Sequence, residues 1–226
     1  MASKKQKYII GIDEVGRGAL AGNVTVAAVA LPRKFQITNS SAKGGSASGG
    51  KLQTNSKLKL RDSKKLTPKQ REIWFKLIKK ELFLPYTVAS VSPKTVDKIN
   101  ISKAANLAAT KALNRLVKNY GLKTANYKIF LDGNLFLNKN LIRINQRNPH
   151  KSASTIIKGD EKIPAISLAS IVAKVSRDKQ MKNLHKKYPQ YGFEKHKGYG
   201  TKEHFKAIRK HGPSKIHRLT FLKKMR

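Results

Sequence analysis

Tyr8-Ile9-Ile10-Gly11-Ile12-Asp13-Glu14-Val15-Gly16-Arg17-Gly18 is the stretch from which the fold can be reasoned. Its first five residues are mostly apolar and rich in isoleucine, which predicts a short buried strand. Two adjacent carboxylates, Asp13 and Glu14, stand at the end of that strand. Burying such charges is costly unless they are paired or bind a cation. The pattern therefore predicts a divalent-metal site at this end of a sheet.

The charge of the chain indicates a polyanionic partner. Lys and Arg number 49 against 12 Asp and Glu, which gives a formal net charge of +37. This excess goes beyond what solubility requires and indicates nucleic acid. A membrane surface is the weaker alternative, because no long basic amphipathic helix with an aromatic face is evident.

The absence of cysteine narrows the chemistry. With no Cys in the chain, disulfides, cysteine-ligated zinc and a cysteine nucleophile are excluded. No segment approaches the roughly 18 apolar residues that span a bilayer. The apolar run after the basic N-terminus is too short for a signal peptide. We therefore expect a soluble, cytoplasmic protein without membrane contact.

Apolar strands alternate with amphipathic helices along the chain. After the first strand, strands are predicted at residues 23–31, 86–91, 127–131 and 154–157, and helices at residues 68–82, 101–119 and 164–181. The first two strands are close enough in sequence to pair antiparallel. Thr67 and Pro68 are predicted to begin the first helix, with Ile73 on its core-facing side, and Gly121 to end the second helix. This alternation predicts an α/β fold with a mixed central sheet flanked by helices.

The chain divides into a main domain and an extension. Residues 1–181 are predicted to form the main domain, with a flexible, basic, Gly/Ser-rich insertion at residues 34–60. Residues 182–226 are predicted to form a small helical C-terminal extension, basic and aromatic, which binds the substrate and packs on the same domain.

Further carboxylates follow other predicted strands. Asp132 ends one strand, and Asp160 follows another apolar run. Ligands of α/β sheets gather beyond the carboxyl ends of strands. Oxygen donors without zinc-type histidine spacing suit Mg²⁺ or Mn²⁺, and two such ions can drive phosphodiester hydrolysis. The alternative from spacing alone is that these acids form salt bridges with nearby Lys or Arg.

Several ordered motifs resemble the ribonuclease HII family. The first is the stretch quoted above, from Gly11 to Gly18. The others are Asp62-Ser63-Lys64-Lys65-Leu66, Leu131-Asp132-Gly133-Asn134, Lys158-Gly159-Asp160, the run from Ser167 to Asp178, Tyr188-Pro189-Gln190-Tyr191-Gly192-Phe193, His196-Lys197-Gly198-Tyr199-Gly200-Thr201 and His217-Arg218. The resemblance spans nearly the whole chain, and the set of motifs is far more specific than any one of them.

The resemblance implies a ribonuclease H-like fold and an endoribonuclease. Such an enzyme cleaves the RNA strand of RNA–DNA hybrids and incises at single ribonucleotides in duplex DNA, leaving 3′-hydroxyl and 5′-phosphate ends. It acts in ribonucleotide removal and in DNA replication and repair. The four metal-binding, catalytic carboxylates carry over onto Asp13, Glu14, Asp132 and Asp160.

The resemblance also implies a substrate-reading set. Gly16, Arg17 and Gly18 would contact the ribose 2′-hydroxyl and the adjacent phosphate, and Tyr199 would stack on the sugar beyond the ribonucleotide. These roles are physically sensible, because the 2′-hydroxyl distinguishes RNA from DNA and glycine permits close backbone approach.

For the other candidates for substrate contact, an ordinary structural role is an open alternative. Lys64, Lys65 and Lys174 are candidates for phosphate contacts, or belong to a solvated basic face. Ser167 and Ser170 line the substrate groove, or are small packing residues on a helix. His196 is a candidate groove residue because of its place beside Tyr199, whereas Asp178 is expected to pair with a basic neighbour.

Two other functions compete with this interpretation. A non-catalytic, basic nucleic-acid-binding protein explains the charge but not the acids at strand ends. The sister enzyme ribonuclease HIII shares the carboxylates, but usually carries an added N-terminal domain, and only seven residues precede Tyr8. We expect a monomer whose partners are RNA–DNA hybrids and DNA duplexes containing ribonucleotides. The segment at residues 34–60 is longer than expected for the family.

Overall fold

A computed structural model gives the structure of the protein. It describes residues 7–40, 47–48, 51–55, 60, 63, 65–123, 127–142 and 153–223. Strands in this part are β1 Tyr8–Val15, β2 Val24–Pro32, β3 Gln36–Ser40, β4 Ala47–Ser48, β5 Lys51–Asn55, β6 Tyr86–Val91, β7 Tyr127–Asp132 and β8 Ala153–Ile156. Helices are α1 Pro68–Lys76, α2 Pro93–Ile99, α3 Ile101–Tyr120, α4 Gly159–Lys162, α5 Pro164–Lys187, α6 Phe193–His196, α7 Lys202–His211 and α8 Leu219–Leu222.

The central sheet is mixed and has the strand order β6-β2-β1-β7-β8. β2 pairs antiparallel with β1 and with β6, whereas β7 is parallel to both β1 and β8. The predicted α/β class and the predicted antiparallel pairing of the first two strands are confirmed. β1, β6, β7 and β8 therefore all point their carboxyl ends toward the same edge of the sheet.

Two layers of helices cover the sheet. β2 is buried on both faces, because Val24, Val26 and Ala28 face one apolar cluster and Ala27 and Val29 face the other. The first cluster packs against α3, whose alanine-rich face begins at Ala104. The second packs against α1 and α5. Such double burial explains why the second strand reads as a continuous apolar run.

Local signals at helix ends were predicted well. Thr67 caps α1 with a reciprocal capping box and Pro68 begins the helix, as expected. Gly121 ends α3 in the left-handed conformation, with φ of 59°. The predicted helix at residues 68–82 is α1 followed by a π-helical turn, Leu77–Glu81. Ile73, predicted to face the core, is instead exposed.

Other element boundaries differ from the predictions. β1 continues through Asp13 and Glu14 to Val15, so both acids lie inside the strand. α5 extends beyond residue 181 to Lys187, which carries one helix across the predicted domain boundary. α2 was not predicted. Its start is set by Ser92, whose side chain accepts a hydrogen bond from the Thr95 amide.

The C-terminal extension packs on the main domain through a third apolar cluster. Leu20, Ala21 and Met181 from the main domain meet residues of the extension that include Phe193 and Ile208. α5 packs against the sheet and also contributes Met181 to this third cluster.

The inserted segment contains regular structure where it is described. β3 and β5 pair parallel, and β4 pairs antiparallel with β5, so three short strands form a separate sheet. These three strands were not predicted from the sequence. The flexibility of the segment stays a prediction, and residues 41–46, 49–50 and 56–59 lie outside the described residues.

Within the described ranges, none of the helices combines the length and the apolar character that a membrane crossing requires.

Candidate active site

The pairing of β1 with β7 places two of the predicted acids on adjacent strands. Ile12 lies opposite Leu131 in the parallel ladder. Asp13 and Asp132 are the next residue on each strand, so they lie side by side at the carboxyl edge of the sheet.

Asp160, the third acid, follows a turn that is hydrogen-bonded to Asp132 at the same edge of the sheet. Asp132 lies opposite Ile156, near the end of β8. The Gly159 amide donates to Asp132 Oδ1 at 2.7 Å, which fixes the short helix α4 against β7. Asp160, the next residue, is almost completely buried. Asp13, Asp132 and Asp160 thus all lie at the same edge of the sheet.

Asp13 lies in an environment that disfavours a negative charge. Only 4% of its surface is exposed. The pKa of Asp13 is raised to about 8, mainly by burial and next by the charge of Glu14, whereas Lys174 and a hydrogen bond from Ser170 oppose the shift. A cation beside the carboxylate would stabilise its charged form and offset the penalty of burial.

Glu14 has one satisfied and one unsatisfied oxygen. Its Oε1 accepts a hydrogen bond from Arg17 Nη1 at 3.3 Å. Its Oε2 is buried without a hydrogen-bond partner among the described residues. Burial also raises the pKa of Glu14, and the Arg17 guanidinium counteracts that rise. A buried, unpartnered carboxylate oxygen is costly unless another donor or a cation reaches it.

The acids share an edge but do not close around one point. In the part of the chain that the structure describes, no three His, Cys, Asp or Glu side chains are grouped tightly enough to hold a metal ion as they stand.

Lys174 is held beside Asp13 by two buried serines. Its ammonium group donates to Ser63 Oγ at 2.6 Å and to Ser170 Oγ at 2.7 Å, and the two hydroxyls are 2.7 Å apart. Ser63 and Ser170 are fully buried. This network places one fixed positive charge behind Asp13 and orients the Ser170 hydroxyl toward it.

The Gly-Arg-Gly turn follows β1 directly. Gly16 has φ of 85°, and a Cβ there would lie 2.2 Å from Arg177 Nε, whereas a Cβ on Gly18 would meet nothing within 4 Å. The guanidinium of Arg17 lies between Glu14 and Ser102, whose hydroxyl is 3.3 Å from Nη2. The first glycine is therefore needed by the fold, and the second is not.

Two buried arginines hold this turn from behind. Arg177 donates to the carbonyl oxygens of Ala21, Asn23 and Lys197. Arg218 donates to the carbonyl oxygen of Arg17 at 2.8 Å and twice to that of Gly22. Among the described residues, every hydrogen bond of these two guanidinium groups goes to main-chain carbonyl oxygens.

Sequence reasoning assigned no role to either arginine. The pKa of Arg218 is lowered to about 10, mainly by burial and in part by the charge of Arg177. Two such cations place positive potential beneath the Gly-Arg-Gly turn. The indication in the sequence that these arginines matter was their position in family-like motifs, at the ends of the Ser167-to-Asp178 and His217-Arg218 runs.

Tyr199 stands at the mouth of a basic cleft. Its ring is 40% exposed, and the Arg177 guanidinium lies 5.5 Å from the ring centroid. The cleft has a volume of about 650 Å³. Its cationic lining consists of Lys69, Arg71, Lys174, Arg177, Lys182, Lys195 and Lys197.

The remaining candidates are dispersed. Lys65 is exposed, Ser167 is buried on α5, and Lys64 lies outside the described residues. His196 uses both ring nitrogens within the extension, on the carbonyl oxygen of Tyr191 and the amide of Gly198. Asp178 pairs with Arg71 at 3.7 Å, as expected.

A family model and two relatives match nearly the whole chain. The family model described as Ribonuclease HII matches residues 10–43 and 47–224. The ribonuclease HII of Caldicellulosiruptor bescii is 43% identical over 217 residues, which cover 96% of this chain and 87% of that protein. The ribonuclease HII of Natranaerobius thermophilus is 40% identical, over 95% of this chain and 90% of that protein.

Solved structures agree on the fold. The ribonuclease H2 from Pyrococcus horikoshii OT3 superimposes with a TM-score of 0.64 at 25% identity, covering 96% of both chains. A ribonuclease HIII, Bst-RNase HIII in complex with Mn²⁺, gives a TM-score of 0.64 at 20% identity, covering 96% of this chain and 67% of the other.

Proposed function

This chain belongs to the ribonuclease HII family, and on that premise we propose which residues carry its reaction and which feature of the substrate they read. The protein is an endoribonuclease that acts on RNA–DNA hybrids. The family model and the relatives of 43% and 40% identity are of the ribonuclease HII type, which favours this family over ribonuclease HIII.

Asp13, Glu14, Asp132 and Asp160 are the proposed ligands of divalent ions, Mg²⁺ or Mn²⁺. Their donors are all oxygen, as these ions prefer. The buried, unpartnered Oε2 of Glu14 is the observation that supports this best. The chemistry that two such ions supply when bound is activation of water and stabilisation of the leaving oxygen. The Mn²⁺ complex of a protein with the same fold is in keeping with this choice.

The chain's own residues bind and orient the substrate. The proposed contact for the ribose 2′-hydroxyl is the backbone of Gly16, Arg17 and Gly18, fixed from behind by Arg218. Tyr199 stacks on the neighbouring sugar, and Lys174 orients the Asp13 carboxylate through its two serines. Lysines of the cleft, such as Lys182, attract the phosphates of the duplex.

The proposed outcome is incision at single ribonucleotides within duplex DNA as well as cleavage of longer RNA stretches. The products carry 3′-hydroxyl and 5′-phosphate ends, which serve ribonucleotide removal and repair. The proposed place of action is the cytoplasm, and the proposed active species is a monomer.

Replacement of one carboxylate tests the assignment. Asp13→Asn keeps the shape of the side chain but removes the charge, so we expect cleavage of a duplex with one ribonucleotide to fall by at least about a thousandfold. Binding to the same duplex should change little. Gel electrophoresis of labelled duplex, with and without Mg²⁺, measures the first, and fluorescence anisotropy measures the second.

Glu81→Gln is the matched control, because Glu81 is an exposed carboxylate at the end of the π-helical turn Leu77–Glu81. Full activity of Asp13→Asn would refute the site. Tight binding by the wild type without cleavage in Mg²⁺ or Mn²⁺ would instead favour the non-catalytic, nucleic-acid-binding alternative.

A further inference from the structure

Three histidines of the extension, two of them buried, form a compact group. The rings of His196 and His204 stack with centroids 4.4 Å apart. His204 Nε2 lies 3.1 Å from His217 Nε2. His204 is fully buried and His217 nearly so. The reaction proposed above uses none of these rings, so their arrangement needs another explanation.

The hydrogen bonds fix which nitrogen of each ring carries the proton. The Ser214 amide donates to His217 Nδ1 at 3.0 Å, so the proton of neutral His217 is on Nε2. His204 Nδ1 lies 2.9 Å from the carbonyl oxygen of Tyr199, which only accepts, so His204 carries its proton on Nδ1. Its free Nε2 then accepts from His217.

These bonds form a continuous chain with a single direction. It runs from the Ser214 amide through His217 and His204 to the Tyr199 carbonyl oxygen. Protonation of either ring breaks it, because each ring needs one nitrogen as an acceptor. Burial lowers the pKa of both His204 and His217, which favours the neutral rings that the chain requires.

The hydrogen-bond chain ends on the main-chain carbonyl oxygen of Tyr199, whose side chain is partly exposed and lies beside the Arg177 guanidinium. The Tyr199 carbonyl oxygen also accepts from the Thr201 amide at 2.9 Å. The turn before it is tight, with φ of 52° at Lys197 and 81° at Gly198. The main chain of Tyr199 therefore helps to set where its ring lies, beside the Arg177 guanidinium at the cleft.

We propose that His204, locked in one tautomer by His217, is a positioning residue for Tyr199 and thereby sets recognition of the ribonucleotide junction. The inference rests on the proposed function of Tyr199. It gives the buried pair a role in selectivity rather than in packing alone. His196, stacked on the other face of His204, keeps that ring from rotating.

Two substitutions at one position separate the roles. In His204→Asn, the side-chain amide stands where Nδ1 was and can still donate to the Tyr199 carbonyl oxygen, but the acceptor for His217 is lost. In His204→Gln, the longer side chain can accept from His217, but the donor to Tyr199 is lost. Both variants remove one hydrogen bond of the same buried ring.

The readout is a ratio of two activities. The kcat/KM for a DNA duplex with one ribonucleotide is divided by that for a continuous RNA–DNA hybrid, for each variant and for the wild type. We expect His204→Gln to lower this ratio about tenfold, because small displacements of a positioning group have large kinetic effects. His204→Asn should keep it within about threefold of the wild type on the same reasoning.

Thermal unfolding and a double-mutant cycle complete the test. If His204 acts through Tyr199, His204→Gln should leave the ratio unchanged in a Tyr199→Ala background. His211→Gln, on an exposed ring, is the control for the loss of a histidine. An equal loss in both His204 variants that follows their unfolding temperatures, or additive effects with Tyr199→Ala, would overturn the inference.

Failure of the inference differs from failure of the proposed function. A wild type that does not incise at a single ribonucleotide defeats the proposed function itself. A wild type that does so, together with an unaltered ratio in His204→Gln, defeats only the positioning role.

Discussion

At the scale of single residues, Gly16 and Gly18 have different reasons to be glycine. Gly16 adopts a positive φ and touches the Arg177 side chain, so the fold itself excludes a larger residue. Gly18 has no such constraint, because a Cβ there would point into open space. The reason for glycine at the second position therefore has to come from something that approaches from outside, such as a substrate.

Gly16→Ala and Gly18→Ala should consequently fail in different ways. We expect Gly16→Ala to lower the free energy of unfolding by roughly 1–3 kcal/mol from backbone strain, with displacement of Arg177 in addition. Gly18→Ala should stay within about 0.5 kcal/mol of the wild type, yet lose about tenfold or more in kcat/KM for a ribonucleotide-containing duplex. Urea unfolding and cleavage kinetics of both variants measure this. Gly18→Ala with unchanged kinetics would argue against close backbone approach to the ribose.

At the scale of elements, α5 organises the site. Its small residues let it approach β1 so closely that a Cβ on Gly11 would lie 2.1 Å from the main chain of Ala165. The polar residues Ser170, Lys174 and Arg177 then recur at helical spacing along one side of α5. One helix thus holds the Asp13 carboxylate and also supports the Gly-Arg-Gly turn.

The C-terminal extension is the element that acid should affect. The pKa of His204 is lowered to about 4, mainly by burial and in part by the neighbouring His196 and His217. Because the unfolded histidine takes up a proton near pH 6.5 and the folded one does not, this group's contribution to stability is complete above pH 6.5. It is lost progressively as the pH falls toward 4, and amounts to about 3 kcal/mol.

Urea unfolding at pH 7.0 and pH 5.0 tests this expectation. The wild type should lose more stability between the two values than His204→Gln, and His211→Gln should behave as the wild type. Asp13, whose pKa is raised, acts in the opposite direction over this range, so the difference between variants is the quantity to compare. Equal losses in the wild type and His204→Gln would contradict the assignment of a neutral buried pair.

At the scale of the whole molecule, the basic and the acidic side chains have different functions. A net charge of +37 surrounds an edge of the sheet where acids are gathered. The cationic cleft beside Tyr199 lies next to that edge, because Val15 and Lys174 line it. The surface attracts a polyanion, and the acids remain the local place where a cation can bind beside it.

Binding of a hybrid duplex should therefore depend steeply on salt. If six to ten phosphates are neutralised, the affinity should fall by about 10³–10⁵ between 50 and 200 mM salt, because counterions are released on binding. Fluorescence anisotropy with Asp13→Asn measures the slope without cleavage. Lys182→Ala, in the cleft, should reduce the slope by about one. Lys118→Ala serves as the control, since it lies near the end of α3, where Tyr120 contacts the opposite edge of the sheet. A nearly flat salt dependence would remove charge as the source of affinity.

The sequence by itself determined the α/β class, the pairing of the first two strands and the acids that meet at one edge. These features depend on local periodicity and on the rule that parallel strands end at a common edge, so they can be read from residues near in sequence. Motif resemblance supplied the family, and the comparisons confirmed it.

Only the tertiary structure decided what surrounds those acids. Arg177, Arg218 and the His204–His217 pair bond to carbonyl oxygens or to each other across long sequence separations. A main-chain carbonyl exists at every residue, so no pattern of residue types marks which one a buried arginine or histidine will find. That choice follows from packing, because the fold leaves particular carbonyl groups without partners and these side chains are placed to satisfy them.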